Sequence, residues 1–321
     1  MGKIYKLLSQ ITFVILFLFQ SWAFAEDKRV LIFYSSIGMG HLSAARAIEK
    51  NLKEEDPTVT VELVNIRDTI LSERRAKVDE WAFWKLVKNF PRIYDFLFQR
   101  AMNHGVESHQ LDTKTEYDGA SILQKVEEFK PTNIITTHFG STLALINLRE
   151  KNHLTKIPVA WLHTDYFKGY FPRISKHIEM TFLGADALTQ TWKGEGLSSD
   201  NVVTTGLPIN SKAFEKIDRT QVFTSNGLDP AKKTVVLMSG AEGVGDFPMI
   251  VKSVAQTVKE PVQIVAICGR NVNHYKKLMA YKQSLPANVT LQVHGFIEDN
   301  TKVLDLIKAS DVYITKSGGF N

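Results

Sequence analysis

The chain of 321 residues is long enough for two domains of ordinary size, and its 44% hydrophobic and 23% charged content is that of a folded globular protein. The formal charge of +5 includes Lys3 and Lys6 near the N-terminus. What remains is too mild to argue for nucleic acid as a partner, though it suits an anionic membrane surface, and the single cysteine, Cys268, excludes an internal disulfide framework.

Residues 1–25 read apart from the fold. Lys3 and Lys6 precede an apolar stretch from Ile11 to Phe19, and Ala23-Phe24-Ala25 has the small-residue pattern of a signal-peptidase site before Glu26. The stretch is short for a spanning helix, so removal is expected, with retention as an anchor the alternative. From residue 29 onward, strand and helix signals alternate, which predicts parallel sheet with crossover helices. Val30 to Tyr34 reads as a buried strand. A small-residue turn carrying Gly38, Gly40 and His41 follows, then a helix over 42–54 with Ala44, Ala45 and Ile48 on its apolar face. Such a turn lets a ligand approach the backbone, and an imidazole there can take a proton from a hydroxyl nucleophile. The third glycine and the acidic residue of a dinucleotide fingerprint are both missing, which argues against a dehydrogenase.

Further strands are predicted at 59–65, 133–137, 158–163 and 178–183, with helices over 118–129, 141–150 and 185–193. Between them, residues 68–104 form a helical insertion interrupted at Pro91. In it Trp81, Trp84 and Val87 share one helical face, and Phe90, Tyr94, Phe96 and Phe98 interleave with Lys85, Lys88, Arg92 and Arg100. Aromatics with basic neighbours suit a lipid interface, although an aromatic stripe is more commonly core. The Gly/Ser-rich stretch 194–199 marks the expected domain junction, giving domains 26–196 and 197–321.

The second half is predicted to carry strands at 201–205, 234–239, 262–268, 289–294 and 311–315, separated by helices near 247–258, 272–283 and 300–309. Each strand end brings a distinctive turn. Ser239-Gly240-Ala241-Glu242-Gly243-Val244-Gly245 precedes a helix opened by Asp246, a plausible diphosphate cradle. Arg270 follows the strand ending at Cys268, Gly295-Phe296 follows the strand ending at His294, and Gly318-Gly319 follows the last strand. The expected architecture is two doubly wound parallel-sheet domains facing a cleft, with ligands beyond the carboxyl ends of the strands.

These turns, in this order, resemble the glycosyltransferase family of monogalactosyldiacylglycerol synthases and processive diacylglycerol glucosyltransferases, and beyond it the N-acetylglucosaminyltransferase that acts on a lipid-linked muramyl peptide. The matching pieces are Gly38-Met39-Gly40-His41, Thr164-Asp165, Thr205-Gly206-Leu207-Pro208-Ile209, the 239–245 loop, Cys268-Gly269-Arg270-Asn271 and Ile314-Thr315-Lys316-Ser317-Gly318-Gly319, spanning nearly all of 29–319. The resemblance implies a GT-B fold, with an acceptor-binding first half, a UDP-sugar-binding second half, and no metal or cofactor beyond the donor. It implies that His41 deprotonates the acceptor hydroxyl with inversion at the sugar carbon, and that Asp165 positions the acceptor or orients His41. By the same resemblance Gly240, Glu242 and Gly243 face sugar and diphosphate, Arg270 and the Phe296 backbone hold the nucleotide, and Gly318 and Gly319 open a phosphate-binding helix. Gly38, Gly40, Trp81 and Trp84 fall on the acceptor and membrane side. His163 is expected to be a packing histidine at a strand end.

Departures from the family pattern shape the expectations. The histidine and tryptophan that usually follow the Thr-Asp pair are replaced by Tyr166-Phe167-Lys168-Gly169-Tyr170-Phe171-Pro172, and Ser239 and Ala241 stand where the family has glycines. The family continues past the Gly-Gly pair to a threonine and a ribose-binding glutamate, whereas this sequence ends at Asn321. A truncated second domain with weak donor binding is therefore expected. The expected activity is transfer of a hexose from a UDP-sugar to a lipid hydroxyl, that of diacylglycerol first. The rivals are N-acetylglucosaminyl transfer to a lipid-linked peptidoglycan precursor and a non-catalytic lipid-surface binding protein. A UDP-sugar 2-epimerase would need a richer set of carboxylates and histidines. Donor supply favours the cytoplasmic face of a membrane, while the signal-like segment favours export.

Overall fold

The computed structural model describes residues 28–36, 39–70, 73–104, 119–166, 177–194 and 200–316. The signal-like segment, Gly38, Gly318 and Gly319 lie outside the described residues. The chain forms two compact units that divide after Ile209.

The first unit is built on β1 (Arg29–Tyr34), β2 (Thr60–Asn65), β3 (Asn133–Thr136), β4 (Val159–Leu162), β5 (Met180–Leu183) and β6 (Val202–Thr204). All pair in parallel, in the order β2-β1-β3-β4-β5-β6. Its helices are α1 (Gly40–Glu55), α2 (Ile66–Ile70), α3 (Glu73–Asn89), α4 (Pro91–His104), α5 (Gly119–Phe129), α6 (Phe139–Glu150) and α7 (Asp186–Gly194). Leu31 and Phe33 point to a core shared with Ile122 and Val126 of α5, Leu145 of α6 and Trp192 of α7. Val30 and Ile32 point the other way, onto Ala44, Ala45 and Ile48 of α1. A strand covered on both faces has no polar side to show, which is why β1 reads as an unbroken apolar run.

The second unit carries α8 (Arg219–Ser225), β7 (Lys233–Met238), α9 (Phe247–Thr257), β8 (Val262–Ile267), α10 (Val272–Tyr281), β9 (Val289–His294), α11 (Asn300–Ala309) and β10 (Val312–Ile314). Its parallel sheet has the order β10-β7-β8-β9. One face packs on α9 and α10 through Leu237, Ile264, Val251 and Leu278. The other packs on α8 and α11 through Val236, Val265, Phe223 and Leu306. The doubly wound parallel sheets expected from the alternation are both present.

The domain junction differs from the expectation. The strand near 201–205, assigned to the second half, closes the first sheet: Thr181, Phe182 and Leu183 of β5 pair with Val202, Val203 and Thr204. Backbone N–H groups of Thr205 and Gly206 extend that pairing by donating to the Leu183 carbonyl. Residues 195–199 of the expected junction lie outside the described residues, and the chain divides after Ile209 instead. Within the insertion, the break falls at Pro91 as expected, because proline has no N–H to continue α3 and its ring pushes the preceding residue out of the helical region. No described helix is long and apolar enough to cross a membrane.

Candidate active site

In the first sheet the chain leaves β1 toward β2 on one side and later returns to β3 on the other. Strand order reverses between β1 and β3, and the crevice beyond the carboxyl ends at such a reversal is where open α/β sheets hold ligands. His41 follows β1, Thr137 and His138 follow β3, and Thr164 and Asp165 follow β4. Topology thus brings together residues from three distant parts of the sequence.

The helix begins at Gly40, so His41 sits inside its first turn rather than just before it. Its side chain makes tertiary bonds. Nδ1 donates to the Thr137 carbonyl oxygen at 2.7 Å, and Thr164 Oγ1 lies 3.0 Å from the same nitrogen. Thr137 Oγ1 in turn donates to the His41 carbonyl at 3.0 Å. A carbonyl oxygen only accepts, so Nδ1 carries the ring proton and, in the neutral imidazole, Nε2 holds the lone pair. The Thr164 hydroxyl then accepts from Nδ1, with its own hydrogen turned toward the Thr137 oxygen 3.5 Å away. Burial holds His41 below the usual imidazole pKa, while the Asp165 carboxylate and the Thr137 bond pull in the opposite direction. The positive end of α1 adds to the bias toward a neutral ring.

His138 packs edge-on against His41, with ring centroids 4.8 Å apart and planes at 82°. It is 8% exposed and caps α6, its Nδ1 accepting from the Gly140 N–H at 3.2 Å. Burial, then the neighbouring His41 and Arg67, put its pKa well below the ordinary value.

Asp165, expected to position the acceptor or orient the base, acts on His41 through its charge; the side chain within hydrogen-bond distance of Nδ1 is that of its neighbour Thr164. Thr137, Thr164 and His138 were not singled out as site residues from the sequence. The signal available for them was a polar Thr-His pair at a strand end before a helix. His163 is a packing histidine, buried against Trp161 and Trp192 at centroid distances of 5.1 and 5.7 Å. Gly40 is the first residue of α1.

The two tryptophans of the insertion do not share one environment. Trp81 is 62% exposed, with the Lys85 ammonium 4.5 Å above its ring, whereas Trp84 is half-buried with its ring against Phe83. Phe83 also meets Tyr94 at 5.8 Å and ties α3 to α4. Val78, Phe90, Ile93, Phe96 and Leu97 are exposed along the pair. Burial raises the Tyr94 pKa and the Asp165 carboxylate raises it further.

In the second sheet the strand order reverses between β7 and β10, and the glycine-rich loop follows β7. Gly243 and Gly269 have φ of +56° and +58°, and a Cβ at either would overlap backbone of the facing loop: the Cys268 carbonyl for Gly243, the Ala241 carbonyl for Gly269. The Arg270 N–H donates to the Ala241 carbonyl at 2.8 Å, and Asn271 Nδ2 donates to the Gly243 carbonyl at 3.0 Å. These two glycines serve close backbone packing, while Gly245, also at positive φ, borders open space. Asp246 and Asn271 cap α9 and α10. Glu242, expected to face a sugar, pairs with Arg270 at 3.0 Å, and the Arg270 guanidinium lies 4.3 Å above the Phe296 ring. The structure thus joins Gly240, Glu242, Gly243, Arg270 and Phe296 in one cluster, through a stacking contact that spacing alone did not reveal.

The family model of monogalactosyldiacylglycerol (MGDG) synthase matches residues 41–209. The chain is 26% identical over 311 residues to monogalactosyldiacylglycerol synthase 1, chloroplastic, of Arabidopsis thaliana, a match covering 91% of this chain and 55% of that protein. It is 25% identical over 308 residues to the processive diacylglycerol beta-glucosyltransferase of Bacillus licheniformis, covering 91% and 73%. The chain thus spans little more than half the length of the plant relative. Among solved structures, MurG of Acinetobacter baumannii matches with a TM-score of 0.52 at 13% identity over 91% of this chain and 73% of that one. The UDP-GlcNAc 2-epimerase from Neisseria meningitidis bound to UDP-GlcNAc matches at 0.54 and 16% identity over 91% and 78%. At these identities the likeness is one of fold, and it agrees with the GT-B class.

Proposed function

The chain belongs to the monogalactosyldiacylglycerol synthase family, and from that premise we propose that it is a glycosyltransferase moving a hexose from a UDP-sugar to the hydroxyl of diacylglycerol. The observation that carries this reading is the His41 ring, held with its proton on Nδ1 and a lone pair on Nε2. An acceptor hydroxyl gives its proton to Nε2 as its oxygen forms the bond to the anomeric carbon. The bond from that carbon to the diphosphate oxygen breaks with its electron pair, and UDP departs. The configuration at the sugar inverts. Asp165 favours the imidazolium as it forms. Backbone N–H groups of the 239–246 loop would take up the charge of the departing diphosphate, and Arg270 would hold the nucleotide in the ground state and the transition state alike. No metal enters this scheme.

A membrane surface is the proposed source of the acceptor. Exposed Trp81, Phe90, Phe96 and Leu97 with Lys85, Arg92 and Arg100 combine apolar insertion with attraction to anionic headgroups. Trp81→Ala with Phe96→Ala should weaken sedimentation with anionic liposomes while thermal unfolding stays as in the parent; unchanged sedimentation would remove the membrane role.

The decisive experiment incubates the chain with labelled UDP-galactose, UDP-glucose or UDP-N-acetylglucosamine and a panel of diacylglycerol and lipid-linked peptidoglycan acceptors. His41→Ala should lower transfer by ~10²–10⁴-fold, the usual contribution of a positioned general base, with UDP binding retained. Transfer to the peptidoglycan precursor alone would replace the diacylglycerol assignment, and undiminished transfer by His41→Ala would remove His41 as the base.

A further inference from the structure

Resting on the reading of His41 as proton acceptor, we propose that His138 is a positioning residue for that base: its buried ring, packed edge-on against His41, holds the His41 imidazole in the orientation and tautomer that Thr137 selects and keeps water from it. A single turn between β3 and α6 delivers both parts of the device, since Thr137 supplies the carbonyl for Nδ1–H and His138 supplies the adjoining ring. That turn is tightly fixed. Ser141 Oγ and Thr142 Oγ1 both donate to the His138 carbonyl, at 2.7 and 3.1 Å, and the Phe139 ring lies 4.7 Å from that of His138.

His138 does not compete for the acceptor proton. Its Nδ1 already accepts from the Gly140 N–H, so in the neutral ring the proton sits on Nε2. Protonating Nδ1 would break the cap of α6 and place a charge beside His41 and Arg67. The titratable groups that bear on the pair are Asp165 after β4, which favours the His41 imidazolium, and Arg67 of α2, which disfavours a charge on His138. The two histidines thus divide the work: one titrates and the other stays neutral as its wall.

Two variants separate this role from capping. His138→Asn keeps a strong N-cap acceptor for Gly140 and loses the ring, whereas His138→Phe keeps the ring and loses the acceptor. Histidine-ring NMR on the full chain reads both tautomer and titration midpoint, with the His41 signals assigned among the nine histidines by their loss in His41→Gln. In the parent, His41 should show a single Nδ1–H tautomer and a midpoint below the ordinary ~6.5. In His138→Asn the midpoint should move up toward that value and the tautomers should mix; in His138→Phe both should return toward the parent. Transfer assays should show kcat down about tenfold in His138→Asn, well short of the ~10²–10⁴-fold expected when the base is removed, with KM little changed and the acid limb moved to higher pH.

An unaltered His41 tautomer and midpoint in folded His138→Asn would overturn the proposal. So would an Nε2–H or averaging His41 ring in the parent, which decides the matter even if the variant fails to fold. Active His41→Ala together with the expected NMR changes would refute the base and leave the positioning standing, so the two failures are distinguishable.

Discussion

Around His41, hydrogen bonds run between side chains and backbone from three strand ends, and Thr137, His138 and Thr164 are buried. Around Glu242, the backbones of two loops touch directly, and the side chains of Arg270 and Phe296 reach solvent. The first arrangement suits proton transfer, because a half-buried neutral imidazole with a fixed tautomer has its basicity set by its surroundings. The second suits binding of a charged ligand, because close-packed loops fix shape while an exposed guanidinium supplies attraction. Rate should therefore depend on the first cluster and donor affinity on the second.

The sharpest test of that division pairs His41→Ala with Arg270→Ala. The first should remove turnover and leave UDP affinity intact. The second should weaken UDP binding by roughly tenfold or more, since a hydrogen bond to a charged group contributes ~1.5–3 kcal/mol, and leave the saturating rate close to the parent. Raising ionic strength should reproduce the affinity loss, because exposed charges are screened within ~8 Å at physiological salt. Isothermal titration with UDP and saturation kinetics read the two arms. A lost saturating rate in Arg270→Ala, or lost UDP affinity in His41→Ala, would merge the clusters into one.

Glycine substitutions probe the second cluster next. Gly243→Ala drives a Cβ into the Cys268 carbonyl and also strains a positive φ, so it should cost about 2–4 kcal/mol and lower the melting temperature of the second unit. Gly245→Ala meets open space and carries only the backbone strain, about 1–2 kcal/mol. Differential scanning calorimetry of the two variants should rank them in that order. Equal losses would mean that the loops are held apart more loosely than their hydrogen bonds imply.

Much of this division was open to reading in the sequence, and the reasons it was not wholly so are physical. Strands buried on both faces appear as continuous apolar runs, so β1, β7, β8 and β9 were placed within about a residue of their ends. A three-residue strand such as β6 carries no sign of which sheet it joins, and a Gly/Ser-rich connection looks the same inside a domain as between two. His41 stood out because it follows a strand and a glycine turn. Its partners did not, since Thr137 lies 96 residues away and Thr164 lies 123 away, joined only by parallel strand order. In the sequence the charged Asp165 stands out over Thr164, although the neutral neighbour is the one at Nδ1. The Arg270–Phe296 stack was hidden for the same reason, because β9 brings the ring to a loop that follows β8.

Asp165→Asn gives the smallest effect and the most direct check on how the first cluster works. Burial lowers the His41 pKa, and the Asp165 carboxylate opposes that shift by favouring the imidazolium. Removing the carboxylate leaves burial less opposed, so the His41 midpoint should fall further. Transfer needs neutral His41, hence activity rises as pH increases through that midpoint, and the acid limb of kcat/KM should move to lower pH by ~0.5 unit, modest for a neighbouring charge. Stability follows the linked sign. A histidine whose folded pKa is depressed contributes stability that is fully present above its unfolded value of ~6.5 and is lost as pH falls below it. Asp165→Asn should therefore deepen acid destabilisation while it extends activity toward acid, a pairing that loss of a merely structural carboxylate would not produce. An acid limb that moves upward or stays in place would show that Asp165 does not act on His41 through its charge.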